Sequence, residues 1–214
     1  MKKIDLKFEI KAMGIGFFIP IIIIVASIMH LFYQMKAFGV TGIGAIIPKL
    51  EFFIIPSIGI WVIYLFYEYY ENNNLEVLLS YPIKDSDHTA NKIFIFILLF
   101  LILLIPIFIL GVILGGVNDV WLLIMQVVPQ IIFVAGLITI ITVICKNIGV
   151  GLSVLIGYTS IELLTEGKVM PWYHLFYFNT EVLGLEELIG KSIINIFFGV
   201  LFLIISSKMI RRLK

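Results

Sequence analysis

Six long apolar runs divide this chain, and no other feature restricts its fold as strongly. Crossing roughly 30 Å of hydrocarbon takes roughly 20 helical residues. The runs fall at Ile15–Tyr33, Leu50–Tyr67, Ile93–Ile113, Val120–Ile144, Ile148–Leu164 and Leu188–Ile210. With 61% hydrophobic residues and a mean hydropathy of +1.13, the 214-residue chain lies well outside the range of soluble domains. The pattern predicts an all-α polytopic membrane protein with six transmembrane helices in a single domain over 1–214. The first run is too long for a cleavable signal peptide and has no Ala-x-Ala-like site after it, so it reads as a span. Only Cys145, Lys146 and Asn147 separate the fourth and fifth runs, which makes them an antiparallel hairpin or one broken helix.

The cations set an orientation. With both termini on one side, that side gathers Lys2, Lys3, Lys7 and Lys11, then Lys84 and Lys92, then Lys146, then Lys208, Arg211, Arg212 and Lys214. Lys36, Lys49, Lys168 and Lys191 remain opposite. The positive-inside bias then puts both termini in the cytoplasm. The excess of Lys over Arg and the abundance of Ile suggest an AT-rich bacterial genome, hence a bacterial cytoplasmic membrane. A net charge of +1 gives no phosphate-tracking surface, so no nucleic-acid partner is expected. A single cysteine excludes an intrachain disulfide and a cysteine-built zinc site. The three histidines have no metal-ligand spacing, and no metal is expected.

Within the spans, Pro106 and Pro129 are expected to kink their helices. Gly149, Ser153 and Gly157 recur at i, i+4 and i+8, a small-residue stripe that lets another helix come close, in this subunit or a second copy. Gln126 and Gln130 form a polar pair one turn apart on an inward face. No Asp, Glu, Lys or Arg falls near the middle of a predicted span, which argues against an ion-coupled carrier. Residues 1–13 mix Ile4, Phe8 and Met13 with four lysines and read as an interfacial segment or a basic tail. The 165–187 segment is dense in aromatics from Trp172 to Phe178, a composition suited to the headgroup region.

The most informative polar stretch is 68–92. Leu75, Leu78 and Leu79 fall on one narrow face of a short helix that carries Glu76 elsewhere, and Pro82 stops it. Leu75-Glu76-Val77-Leu78-Leu79-Ser80-Tyr81-Pro82-Ile83, with Lys92 before the next span, resembles the coupling-helix segment of the type 2 permeases of ATP-binding-cassette (ABC) transporters. Asn72, Asn73 and Asn74 stand where that family usually has Gly-Thr or Gly-Ser. The bland reading of the same stretch is an amphipathic connector on the membrane surface.

The resemblance implies a membrane-spanning exporter subunit with no nucleotide site of its own, in a dimer with a second permease copy. ATP and Mg would be bound by a separate ATPase subunit. Glu71, Leu75, Glu76, Leu78, Leu79 and Pro82 would contact that partner. The family's fifth span lies near the subunit interface and the translocation path, a position that would fall here on Gly149, Ser153 and Gly157. A partly re-entrant outer segment would carry a gate at Pro171, Trp172, Tyr173 and Phe176. An amphipathic or hydrophobic cargo, a peptide among them, suits the few charges at depth.

Two motifs come close without matching. Gly184 to Ser192 has five residues between glycines where a phosphate loop has four. Glu186-Glu187-x-x-x-Lys191 resembles the EExxxR motif of intramembrane glutamate proteases with Lys in place of Arg, which keeps that enzyme class as an alternative. A non-transporting immunity or scaffold protein is the other.

Overall fold

The computed structural model describes residues 6–39, 42–70, 89–169, 174–178 and 183–211. Among them there is no strand, and six helices are long and apolar enough to cross a membrane. They are α1 (Leu6–Phe38), α2 (Ile43–Leu65), α3 (Ala90–Leu114), α4 (Val117–Cys145), α5 (Ile148–Thr165) and α6 (Leu185–Ile210). This makes the chain a multi-pass membrane protein. The stretch 71–88, with Glu71, Leu75, Glu76, Leu78, Leu79 and Pro82, lies outside the described residues, as do Pro171, Trp172 and Tyr173.

α2 and α4 form the interior. Their most apolar stretches are 72% and 67% buried, against 33% or less in the other four helices. The wide apolar surfaces of the outer helices are what a hydrocarbon solvent requires, since lipid is as apolar as leucine.

α4 and α6 run parallel and pack most closely. Gly136 and Gly199 meet where they cross. A Cβ on Gly136 would strike the Gly199 carbonyl, and a Cβ on Gly199 would lie 2.6 Å from the Ile132 carbonyl oxygen. The absence of side chains at both positions is what brings the backbones into contact. Phe133 and Phe202 close the same seam edge to face, 6.0 Å between centroids.

The prolines act differently from one another. At Pro106 the helix breaks into Ala90–Leu103 and Ile105–Gly115, as expected. α4 instead runs on through Pro129 without interruption. Proline lacks the N–H that would bond the carbonyl four residues back. Here Ser192 Oγ of α6 donates to that carbonyl, Met125 O, at 3.1 Å. The neighbouring helix thus supplies the missing donor. In α2 the turn before Pro56 is widened into a π-helical stretch, Leu50–Ile54, ending on the residue before Ile55.

The α4–α5 connection is a hairpin. Lys146 takes left-handed geometry, and Asn147 Oδ1 accepts from Gly149 N and Val150 N at 2.7 and 3.2 Å, capping α5. Gly115 and Gly116 join α3 to α4, Gly116 at φ +96°, a value that a side chain rarely permits.

The opening stretch of α1 is α-helical from Leu6 to Met13, then narrows to a 3₁₀ turn over Gly14–Phe17. Glu9 reaches Lys92 at the start of α3, 2.5 Å away, with the Lys92 side chain buried and that of Glu9 largely covered. Lys92 also sits 5.1 Å over the Tyr69 ring. Trp61 of α2 donates from Nε1 to Phe17 O at 2.8 Å and stacks on the Phe17 ring. Phe96 and Phe100 stand edge-on to the same indole. Residues 6–17 are therefore tied to α2 and α3.

Candidate functional site

The structure sets one acid nearer the middle of a span than the sequence predicts. α2 begins at Ile43, so Glu51 stands about 12 Å along the helix axis at 1.5 Å per residue. Its side chain is fully buried, as is that of Glu162 near the end of α5. Lys191, half-buried on α6, joins them from the third side. Helices that alternate in direction place the starts of α2, α4 and α6 and the ends of α1, α3 and α5 at one end of the bundle, and the three groups gather there.

What they hold is a stretch of non-helical backbone. Glu162 Oε1 accepts from Leu175 N at 2.6 Å and Oε2 from Phe176 N at 3.1 Å. Glu51 Oε1 accepts from Tyr177 N at 3.1 Å and Oε2 from Phe178 N at 3.0 Å. Four successive N–H groups are thus clasped by two carboxylates. The carbonyls are met as well: Gln130 Nε2 donates to Leu175 O at 3.2 Å, and Lys191 Nζ to Phe176 O at 2.8 Å. Backbone outside a helix is tolerated at such depth only where protein groups satisfy it.

Each holder is itself held. Gln126 Nε2 and Gln130 Nε2 donate to Glu51 Oε1 at 2.8 and 3.0 Å, so that oxygen accepts three bonds. Acceptance alone is what an ionised carboxylate offers, with room for about four donors. Lys191 Nζ lies 3.0 Å from His174 Nδ1 and 4.2 Å over the Tyr177 ring. Two acids and one base make a compact, partly balanced cluster.

The predicted residues separate. Gln126 and Gln130 face inward and take part in the clasp. Phe176 lies in the core beside Leu175, both fully buried, and not in a wet interfacial belt. Gly149 and Ser153 are exposed, and Gly157 is half-buried with nothing within 4 Å of where a Cβ would stand. Close packing within the chain uses the other face of α5. There Gly151 abuts Thr142, and Leu155, Thr159 and Glu162 follow on the same buried side.

Lys191 and Ser192, parts of the rejected phosphate-loop look-alike, turn out to serve the clasp and the Pro129 gap. Glu186 and Glu187 stand exposed on the first turn of α6, and His30 is exposed on α1. Among the described residues no group of His, Cys, Asp and Glu could hold a metal ion.

Comparison with known proteins adds no relative: no family model, no curated protein and no solved structure matches the chain.

Proposed function

We propose that this chain is the membrane-spanning subunit of an ATP-driven exporter of the type 2 ABC permease kind, working as a dimer with separate ATPase subunits in a bacterial cytoplasmic membrane. The observation that supports it most is the clasp. Residues 175–178 of the α5–α6 connection are held among the helices at one end of the bundle, in the stretch where the resemblance implies a partly re-entrant outer segment. The lysine distribution makes that end the outer one and leaves both termini and 68–92 in the cytoplasm.

The parts suggest a working order. Closure of the ATPase pair would press on the Leu75–Ser80 stretch, with Leu75, Leu78 and Leu79 in a groove of the partner, Glu71 and Glu76 on its basic residues, and Pro82 setting the exit. That stretch joins α2 to α3, and α2 carries Glu51. A displacement at the inner end of α2 would therefore act on the clasp at the outer end, as a switch between two packings. Pro171, Trp172, Tyr173 and Phe176 would then form the gate that the clasp holds shut. An amphipathic or hydrophobic cargo, such as a small peptide, suits a bundle whose buried charges are engaged with its own backbone. The uncovered face of α5 at Gly149, Ser153 and Gly157 offers a surface for the second permease copy.

Co-purification in mild detergent with the ATPase encoded nearest this chain tests the reading. We expect the native chain to retain the ATPase and the Leu75→Ser, Leu78→Ser, Leu79→Ser triple variant to lose it. No association of the native chain would overturn it, and peptide cleavage abolished by Glu186→Ala and Glu187→Ala would then favour the protease class.

A further inference from the structure

His174 Nδ1, Lys191 Nζ and Phe176 O form a tight triangle. Nζ lies 3.0 Å from Nδ1 and 2.8 Å from the carbonyl oxygen, and Nδ1 lies 2.8 Å from the same oxygen. An ammonium group has donors only, so a ring nitrogen facing it must offer a lone pair. Phe176 O also accepts only, so the ring meets Lys191 with a bare Nδ1 or the carbonyl with an Nδ1–H, never both; the contact with Lys191 belongs to the neutral ring with its proton on Nε2. Lys191 then donates both to the ring and to Phe176 O. A second proton on the ring places two cations 3.0 Å apart, and the Nδ1–H competes with Lys191 for the carbonyl.

We propose that the His174–Lys191 pair is a proton sensor for the clasp: protonation of His174 drives Lys191 off Phe176 O and loosens the hold on residues 175–178. The inference concerns regulation of the same site. It rests on the exporter reading for its consequence in transport, but not for its test.

The charged and titratable groups around the ring come from α2, α5, α6 and the turn after α5. Lys191 faces it from α6, above the Tyr177 ring. Glu162 of α5 binds the N–H groups of Leu175 and Phe176 beside it, and Glu51 of α2 binds the next two. In the turn after α5, Glu166 and Lys168 are exposed and paired with each other at 2.9 Å. Gly167 backs the ring so closely that a Cβ there would fall 2.8 Å from it, which limits swinging to that side. The two buried carboxylates attract a second cation, yet their oxygens are committed to backbone N–H groups. An imidazolium can reach one only by taking it from its N–H pair. Repulsion of Lys191 and capture of a carboxylate both undo part of the clasp.

The sign follows. The added ring proton is what opens the clasp, so the clasp loosens as the medium at its end of the bundle acidifies. His174 is half-buried, within reach of that medium.

Hydrogen exchange at the amides of Leu175 to Phe178 reads the clasp directly. It is measured on the full chain in lipid nanodiscs at about pH 5.5 and about pH 7.5 and corrected for the intrinsic rate at each pH. In the native chain we expect protection to fall roughly tenfold or more on acidification. In His174→Gln, neutral throughout and still able to accept from Lys191, the fall should vanish. Lys191→Met should lower protection at both pH values and remove the difference between them, and it decides the matter if His174→Gln does not fold. Unchanged protection in the native chain would overturn the proposal. So would a fall that persists in either variant, which would assign the pH response to Glu51 and Glu162. No ATPase or cargo enters the measurement, so its failure and a failure of co-purification are separate results.

Discussion

Glu51 and Glu162, on different helices, divide between them the four successive N–H groups from Leu175 to Phe178, two each. Neither carboxylate bonds a side chain of the segment that it holds. The grip is on backbone, while Leu175 and Phe176 supply the apolar contact.

Removing a carboxylate should therefore cost more than a typical buried hydrogen bond. Each buried donor left unmet costs about 1–3 kcal/mol. Glu51→Ala orphans the two N–H groups and deprives Gln126 and Gln130 of their shared acceptor, so we expect a loss of about 3 kcal/mol or more. Glu162→Ala should cost less. Glu51→Gln should still destabilise, because its NH₂ faces an N–H. Thermal unfolding in detergent ranks the three.

The α4–α6 seam predicts a contrast between glycines. Gly199→Ala pushes a methyl into the Ile132 carbonyl, and overpacking of this kind costs about 1–3 kcal/mol. Gly157→Ala meets open space and should leave the stability of the isolated subunit unchanged. If the α5 stripe seats a second copy, Gly157→Leu should instead weaken self-association, read by cross-linking in lipid.

The Glu9–Lys92 pair offers a double-mutant test. Breaking a buried pair from one side costs about 3–5 kcal/mol, whereas replacing both partners by apolar groups is often nearly neutral. Lys92→Met should destabilise strongly, and Glu9→Leu with Lys92→Met should recover most of the loss. An additive pair of effects in unfolding experiments would show that the contact carries no coupling.

Trp61 separates packing from hydrogen bonding. Trp61→Phe keeps an aromatic ring among Phe17, Phe96 and Phe100 but drops the bond to Phe17 O, and should cost about 1 kcal/mol. Trp61→Ala should cost about 3–5 kcal/mol. Denaturation followed by circular dichroism distinguishes them.

The number of spans was legible because hydropathy over some twenty residues is a strong, local signal. Glu51 was not, because Pro48, Lys49 and Glu51 break the apolar pattern, so the span reads as opening at Leu50 with Glu51 in its first turn. The helix in fact starts at Ile43, and its neighbours on α4 absorb the charge. Glu162 carried a readable clue: Gly151, Leu155, Thr159 and Glu162 follow a helical repeat that marks one buried face, rotated from the Gly149 stripe. The grip on residues 174–178 could not be foreseen, since it pairs side chains of α2 and α5 with backbone N–H groups that carry no sequence signature. Ser192 illustrates the same limit. Its value lies in a carbonyl freed by Pro129 on another helix.

The widened turn at Leu50–Ile54 holds one residue more than a regular α-helical turn would, so α2 carries the equivalent of a single-residue insertion at the clasp. Deleting one residue there, such as the exposed Phe53, would restore the regular helix and rotate everything before it by about 100° relative to the rest of α2. Glu51 would then turn away from Gln126 and Gln130 while the apolar bundle stayed intact. A chain lacking that one residue would still build six helices, but it would grip its α5–α6 connector from one side, through Glu162, and leave Tyr177 and Phe178 unfastened.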